Sequence, residues 1–193
     1  MNRSAAPGSS SISCFLGDLA MSATPIDSFV HVYARIGEAL TAWSSVEDLV
    51  CTVFMCAISP RNHHAAQAAF FEVVSFDSKL SACDTAISIA LKDHQTHLAT
   101  WEAISRSLRK RKNIRNKLAH AQVLAHKDKP GARLFPYYSI TEHEIPEWNG
   151  GWTPQNIATF IQDFIDIRND LTAFIVQLRT DLDMWPTDWR PSA

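Results

Sequence analysis

Residues 24–58 have the sequence TPIDSFVHVYARIGEALTAWSSVEDLVCTVFMCAI, and this segment decides the fold class. Thr24, Pro25 and Asp27 combine a helix N-cap, a proline at the first helical position and an acid in the first turn. The apolar side chains behind them recur every three or four residues, at Phe29, Tyr33, Ile36, Leu40, Trp43, Val50, Phe54 and Ala57. This spacing predicts one long amphipathic helix, which Ser59-Pro60 ends.

The same period predicts three further helices in the next part of the chain. The second is rich in alanine, with Ser59 as its N-cap and a body that extends to about Val74. Ser75 is the expected cap of the third helix. The fourth helix begins after a turn near residues 93–96 and fades near Ala125.

Residues 127–153 lose the helical period. The turn-forming residues in this segment are Pro130, Gly131, Pro136, Pro146, Gly150 and Gly151. Residues 133–140 are able to form a small hairpin, although Pro136 argues against a central strand. A second cap signal at Thr153-Pro154 then opens a long periodic helix that stops near Trp185-Pro186.

These elements predict an all-α protein, an up-and-down bundle of four to five helices. Residues 127–153 form an irregular insertion, or a small hairpin, before the last helix. The bundle domain covers residues 24–185. Residues 1–23 are rich in Ser, Ala and Gly and are expected to be a disordered or loosely packed leader, and residues 186–193 are a tail.

Charge is unevenly distributed along the chain. The 193 residues are 46% hydrophobic and 20% charged, a balance that suits one domain with a sizeable core. The net charge of −2 hides a basic segment, residues 106–117, that contains no acid. Its cations are Arg106, Arg109, Lys110, Arg111, Lys112, Arg115 and Lys117. The C-terminal helical region has the opposite character, with acids at Asp163, Asp166, Asp170, Asp181 and Asp183.

Cysteine and histidine usage excludes several classes of site. Cys14, Cys51, Cys56 and Cys83 show neither paired metal spacing nor a disulfide framework, which favours a reducing compartment and a cytoplasmic protein. His63-His64 and the pair His94 and His97 lack a matching set of ligands, so we expect surface histidines, no metal and no cofactor. The longest apolar segment, residues 49–58, is too short to cross a membrane.

Residues 115–120, Arg-Asn-Lys-Leu-Ala-His, form the motif with the clearest chemistry. On an ideal helix Arg115 and His120 are about 140° apart, but the long arginine side chain can swing towards the same groove. An arginine can stabilise an anionic phosphorane, and a histidine can move the proton of a 2′-hydroxyl group. Arg115 and His120 are therefore the minimum set of side chains needed for metal-free cleavage of RNA.

Arg115 falls on the apolar stripe of its helix, beside Leu108 and Leu118. A positive charge at such a position requires a carboxylate, a polar group of another subunit or a phosphate. Glu47, on the apolar stripe of the first helix, is a candidate partner of Arg115 or of Lys79. A structural ion pair is thus the alternative to a catalytic role.

The motif resembles that of the HEPN superfamily of helical domains, in which an arginine and a polar residue precede a histidine by four to six intervening positions. Arg115 is followed by Asn116, and four residues separate Arg115 from His120. Residues 43–47 (WSSVE) and 75–80 (SFDSKL) are also similar to segments of bacterial members. The resemblance covers roughly residues 26–125 and, more loosely, the last helix.

The resemblance implies a homodimer whose two motifs face each other across a shared cleft. It also implies metal-independent ribonuclease activity, often in toxin, antiphage or RNA-processing systems, and in some of these a neutralising or regulatory protein partner. Arg115 and His120 would be catalytic and Asn116 a polar auxiliary. Other members keep the fold as a non-catalytic dimerisation or scaffold domain, which is the alternative function.

The basic segment is the candidate RNA-binding surface. Its proposed contacts to the RNA backbone are Arg106, Arg109, Lys110, Arg111, Lys112 and Lys117. Such contacts are electrostatic and sensitive to salt, with little sequence specificity. The alternative is an ordinary solvated helix face. No phosphate-binding glycine loop and no nucleophile elbow occurs in the sequence.

Overall fold

The computed structural model describes residues 25–125, 131–136 and 150–185. Over this part the chain forms five helices, α1 (Pro25–Ile58), α2 (His63–Glu72), α3 (Phe76–Ala90), α4 (Gln95–His120) and α5 (Pro154–Leu182). Two antiparallel strands, β1 (Ala121–Ala125) and β2 (Ala132–Pro136), lie between α4 and α5. The all-α bundle with a small hairpin before its last helix is confirmed. The predicted leader and tail, and residues 127–130 and 137–149 of the insertion, lie outside the described residues.

Two buried tryptophans organise the core. Trp43 of α1 contacts Phe76 of α3 and Phe164 of α5 edge to face, with ring centroids 5.0 and 5.2 Å apart. Trp101 of α4 stacks on Phe174 of α5 at 5.7 Å. Such aromatic contacts add to the hydrophobic effect of burial. The two tryptophans therefore join α1, α3, α4 and α5 through their largest side chains.

Helix α1 has the length and apolar composition to cross a bilayer, and it is the one helix among the described residues that does. Trp43, Val46 and Val50 of this helix are buried in the core of the bundle. Part of the apolar surface of α1 is therefore covered by the other helices.

Three helix termini agree with the sequence prediction, and the start of α2 differs from it. Helix α1 begins at Pro25 and ends at Ile58, and Thr153 caps α5 in a reciprocal capping box with Asn156. The prediction that Ser59 caps α2 is wrong. Asn62 is the cap, and its Oδ1 accepts a hydrogen bond of 3.0 Å from the amide of Ala65. The Ser59 hydroxyl instead donates to the carbonyl oxygen of Trp185 at 3.1 Å.

The predicted end of the fourth helix is also wrong. Helix α4 ends at His120, and residues 121–125 are strand β1. Their Ala, Gln and Leu side chains are good helix formers, so the local sequence contains no stop signal. The strand forms because β2 supplies the hydrogen-bonding partner, and Val123 and Leu134 face each other in buried positions. Tertiary pairing thus overrides local propensity.

Gly151 joins the hairpin to the segment before α5. Leu134 and Trp152 exchange two backbone hydrogen bonds of 2.9 and 2.8 Å. Gly151 directly precedes Trp152 and has a φ of 64°. A Cβ atom at this position would lie 2.7 Å from the ring of Phe135. A glycine is needed here for both the backbone conformation and the close approach of the ring.

Gly151→Ala is expected to lower the free energy of unfolding by about 1–3 kcal/mol, because alanine is strained at positive φ and its methyl group meets Phe135. Gly37→Ala is the matched control. Gly37 lies inside α1 with no atom near its missing Cβ, so the same substitution should stabilise the helix by about 0.5–1 kcal/mol. Urea unfolding of both variants measures the difference. Equal changes in the free energy of unfolding of the two variants would contradict a special requirement for glycine at position 151.

Candidate functional site

Arg115 lies on the side of α4 that faces the bundle, near α1. Its Nη2 atom is 3.9 Å from Oε1 of Glu47, and its Nη1 atom donates a hydrogen bond of 3.2 Å to Oδ1 of Asn116. The side chain is 36% exposed. The guanidinium group is therefore accessible to solvent on one side, while Asn116 constrains its orientation.

Glu47 is the centre of a cluster formed by Trp43, Glu47, Lys79 and Arg115, here called the Glu47 cluster. Oε1 of Glu47 accepts a hydrogen bond of 2.8 Å from the indole nitrogen of Trp43. Oε2 accepts one of 3.4 Å from Nζ of Lys79. The Lys79 side chain is only 8% exposed, and its ammonium group lies 4.9 Å from the ring centre of Phe71. Lys79 is thus the deeper and closer of the two cations around Glu47.

The Glu47 cluster contains more positive than negative charge. One carboxylate, that of Glu47, is shared by the ammonium group of Lys79 and the guanidinium group of Arg115. In addition, Nε of Arg115 is buried and makes no hydrogen bond within the described residues. A buried donor without an acceptor costs free energy, more so in a charged group. The excess of positive charge and the exposed side of the Arg115 guanidinium group suit this site to bind a further anion.

His120 is the last residue of α4 and is exposed to solvent. Among the described residues, no hydrogen bond or ion pair connects its ring to Arg115 or to any other side chain. The two residues lie about 140° apart on the helix, with Arg115 on the side of the bundle. One chain by itself thus does not bring the two side chains of the motif together.

The structure divides the basic segment into two groups. Arg109 binds Asp84 of α3 at 2.6 Å, and Lys112 binds Asp77 of the same helix at 2.6 Å. Arg111 donates through Nε to the carbonyl oxygen of Asp163 on α5 at 2.9 Å. These three cations join α4 to its neighbours.

The second group, Arg106, Lys110 and Lys117, is exposed on the outer side of α4. Nε of Arg106 donates only to a backbone oxygen of its own helix, that of Glu102. Arg106 and Lys110 are accessible to a ligand in solution. Half of the predicted RNA-binding residues are therefore engaged in helix–helix contacts, and half are presented to solvent.

The acidic partners of the basic segment were not predicted from the sequence. Asp77 and Asp84 are seven residues apart and therefore lie on one face of α3, two turns from each other. Lys112 and Arg109 lie on the adjacent face of α4, which runs antiparallel to α3. This spacing of two acids was a usable signal for helix pairing. The exact partner of Arg111 depends on the tertiary position of α5.

Asp84 forms a second polar cluster, between α3 and α4. Oδ1 accepts hydrogen bonds from the indole nitrogen of Trp101 at 2.9 Å and the hydroxyl group of Ser105 at 2.8 Å. Oδ2 accepts from Arg109, which also donates to Ser105. An open groove of about 630 Å³ adjoins this cluster, and Arg106 lines it as well. Hydrogen bonds to Asp84 and Ser105 therefore hold the Arg109 side chain in place, whereas the contact of Arg115 with Glu47 is longer.

Metal and thiol chemistry find no support in the described residues. No group of three or more His, Cys, Asp or Glu side chains there is placed to hold a metal ion. His97 instead lies 3.2 Å from Asp181, and hydrogen bonds from Thr180 and His97 lower the pKa of Asp181. Burial raises the pKa of Cys51 to about 11, so its thiol is protonated and a poor nucleophile at neutral pH.

Comparisons with protein-family models, with curated proteins and with solved structures find no match to this chain. The chemistry of the residues themselves is therefore the basis for assigning a function.

Proposed function

We propose that this chain is a metal-independent endoribonuclease of the HEPN type, which acts as a homodimer in the cytoplasm. The observation that carries the proposal is the incomplete pairing of Arg115. Its guanidinium group shares one carboxylate with Lys79, its contact with Glu47 is 3.9 Å long, and its Nε has no acceptor among the described residues. A phosphate group would supply the missing negative charge at the exposed side of the guanidinium group.

The proposed reaction is an attack of a ribose 2′-hydroxyl group on the adjacent phosphorus atom. A neutral His120 imidazole accepts the 2′-hydroxyl proton as the bond from 2′-oxygen to phosphorus forms. Arg115 donates hydrogen bonds to the non-bridging oxygens, where negative charge increases in the transition state. The bond to the 5′-oxygen breaks, and a protonated imidazole donates the proton to that oxygen. The products are a 2′,3′-cyclic phosphate and a 5′-hydroxyl end.

The proposal places the complete site between two chains. Arg115 and His120 lie on different sides of α4, so two copies of α4 facing each other would supply both groups to one phosphate. Two histidines in the shared cleft would then divide the roles of base and acid. The HEPN resemblance is the reason for proposing this arrangement, and it also suggests a toxin, antiphage or RNA-processing role with a regulatory protein partner.

A non-catalytic scaffold is the second candidate, and the contact between Arg115 and Glu47 favours it. If that ion pair is purely structural, Arg115 serves to hold α4 against α1. Its length of 3.9 Å and the partial exposure of the side chain make it a weak structural contact, since exposed ion pairs contribute little to stability.

Cleavage of a mixed RNA substrate in the presence of EDTA tests the proposal. The wild-type protein should cut the RNA and leave cyclic phosphate ends, whereas Arg115→Ala and His120→Ala should both abolish cutting. A wild-type protein that leaves RNA intact, or equal residual cleavage in all three samples, would reject the nuclease and favour the scaffold. Circular dichroism of the variants controls for loss of the fold.

A further inference from the structure

Two cations share the carboxylate group of Glu47, and they share it unequally. Nζ of Lys79 lies 3.4 Å from Oε2, whereas Nη2 of Arg115 lies 3.9 Å from Oε1. Oε1 also accepts the hydrogen bond of 2.8 Å from the indole nitrogen of Trp43. Both oxygens of Glu47 therefore have a closer partner than Arg115, and Arg115 is the most weakly held member of the Glu47 cluster.

The surroundings of Lys79 hold its ammonium group beside Glu47. Lys79 lies in the first turns of α3, where its amide donates a hydrogen bond of 3.0 Å to the carbonyl oxygen of Ser75. Its side chain is buried, and Nζ lies 4.9 Å from the ring centre of Phe71 and 5.6 Å from that of Phe70. The faces of aromatic rings attract a cation. Because so little of Lys79 reaches solvent, it is not itself a contact for a phosphate group.

The charge of Lys79 decides how strongly Glu47 attracts Arg115. Glu47 is mostly buried, and an unpaired carboxylate is costly at such a position. Without the ammonium group, the other cation paired with Glu47 is Arg115, whose partly exposed side chain could approach closer than 3.9 Å. A guanidinium group can bind both oxygens of a carboxylate at once. A phosphate would then compete with Glu47 for the same donors.

We propose that Lys79 is a positioning residue for Arg115, because it occupies and neutralises the Glu47 carboxylate and so keeps the guanidinium group available to a phosphate. This inference rests on the proposed function and adds to its site a residue outside the 115–120 motif. Lys79 acts through Glu47 and does not contact the phosphate. Trp43 assists it by donating to the other oxygen of the same carboxylate. The anion site at Arg115 thus depends on α1 and α3 as well as on α4.

Titration with inorganic phosphate tests this role without any need for RNA cleavage. The observed signal is that of the Arg115 Nε–H group in a two-dimensional proton–nitrogen NMR spectrum, identified by its loss in Arg115→Lys. Dissociation constants are compared for the wild-type protein, Lys79→Met, Glu47→Gln and the double variant of Lys79→Met with Glu47→Gln. Methionine has a side chain of similar length and removes the charge. Lys92→Met is the matched control, because Lys92 is an exposed lysine just beyond the end of α3.

Lys79→Met should weaken phosphate binding by about three- to tenfold, because the uncompensated carboxylate draws Arg115 away from the anion. In the Glu47→Gln background the same substitution should change the affinity by less than about twofold. Glu47→Gln alone should bind phosphate at least as tightly as the wild-type protein, and Lys92→Met should match the wild-type protein. Such a non-additive pattern is expected if Lys79 acts through Glu47.

Equal weakening by Lys79→Met in both backgrounds would overturn the inference, because it would indicate a direct effect of the lysine charge. Weaker phosphate binding by Glu47→Gln alone would overturn it as well, since Glu47 would then orient Arg115 for the anion. If circular dichroism shows that Lys79→Met is unfolded, Glu47→Gln and the double variant decide, because neither contains a carboxylate without its lysine. A double variant that binds phosphate much more weakly than Glu47→Gln would then reject the role of Lys79.

The phosphate titration and the cleavage assay fail separately. A wild-type Arg115 signal that phosphate does not move would reject this inference, while cleavage in EDTA would still decide whether the protein is a nuclease. A protein that shows the expected pattern of phosphate affinities but never cuts RNA would reject only the nuclease.

Discussion

Replacing Arg115 with lysine is expected to lower the rate of RNA cleavage by about 10²–10³-fold, although the positive charge is kept. Lysine offers a point charge and cannot reproduce the planar fork that binds two phosphate oxygens at once. The substituted ammonium group would also compete with Lys79 for the same carboxylate of Glu47. The proposed chemistry therefore depends on the guanidinium geometry rather than on charge alone.

Single-turnover cleavage in EDTA, with protein in excess over RNA, measures this effect on the chemical step. Arg168→Lys is the matched control, because Arg168 is an exposed arginine of α5 outside the site. Its rate should equal that of the wild-type protein. The Tm of Arg115→Lys should stay close to the wild-type value, since Arg115 makes only a long, partly exposed ion pair. A lysine variant that cuts RNA at nearly the wild-type rate would contradict a bidentate role for Arg115.

Trp43→Ala should produce the largest loss of stability, about 3–5 kcal/mol in the free energy of unfolding. The Trp43 side chain is 1% exposed and packs against both Phe76 and Phe164. Its removal leaves a cavity where α1, α3 and α5 meet, and it also deletes the hydrogen bond to Glu47. The same side chain therefore supports the core and positions the carboxylate beside Arg115.

Urea unfolding followed by far-ultraviolet circular dichroism measures this loss. Tyr33→Ala is the control, because Tyr33 lies on the same helix but is 58% exposed, and we expect a change within about 0.5 kcal/mol. Trp43→Phe keeps an aromatic ring and removes the indole donor, so it should cost less, about 1–3 kcal/mol. If Trp43→Ala were no more destabilising than Tyr33→Ala, this result would contradict the described packing of Trp43 against Phe76 and Phe164.

The helical fold was predictable because its signals are local. Proline and capping residues place the starts of α1 and α5, and apolar residues at intervals of three and four give each helix a buried face. The failures occurred where a distant segment decides the conformation. Residues 121–125 form a strand only because residues 132–136 pair with them, and the Ser59 hydroxyl donates to Trp185 and does not cap α2.

The candidate site was predictable in its residue types and less so in its contacts. The period of α4 already placed Arg115 among apolar neighbours, which required a partner, and Glu47 on α1 was one candidate. The structure adds that Lys79 and Trp43 bind the same carboxylate, so Arg115 is left with an incomplete set of acceptors. The helical period predicts which face of a helix a residue occupies, but it does not predict the distances between helices.

The sequence by itself determined the bundle, the residues of the 115–120 motif and the basic character of α4, because capping, helical period and charge are properties of nearby residues. Only the tertiary structure decided which cations of α4 form ion pairs with other helices. Three of them, Arg109, Arg111 and Lys112, pair with Asp84, Asp163 and Asp77, while Arg106 and Lys110 stay exposed. The physical reason is that an ion pair between helices depends on how α3, α4 and α5 approach one another, and packing of the core fixes that approach.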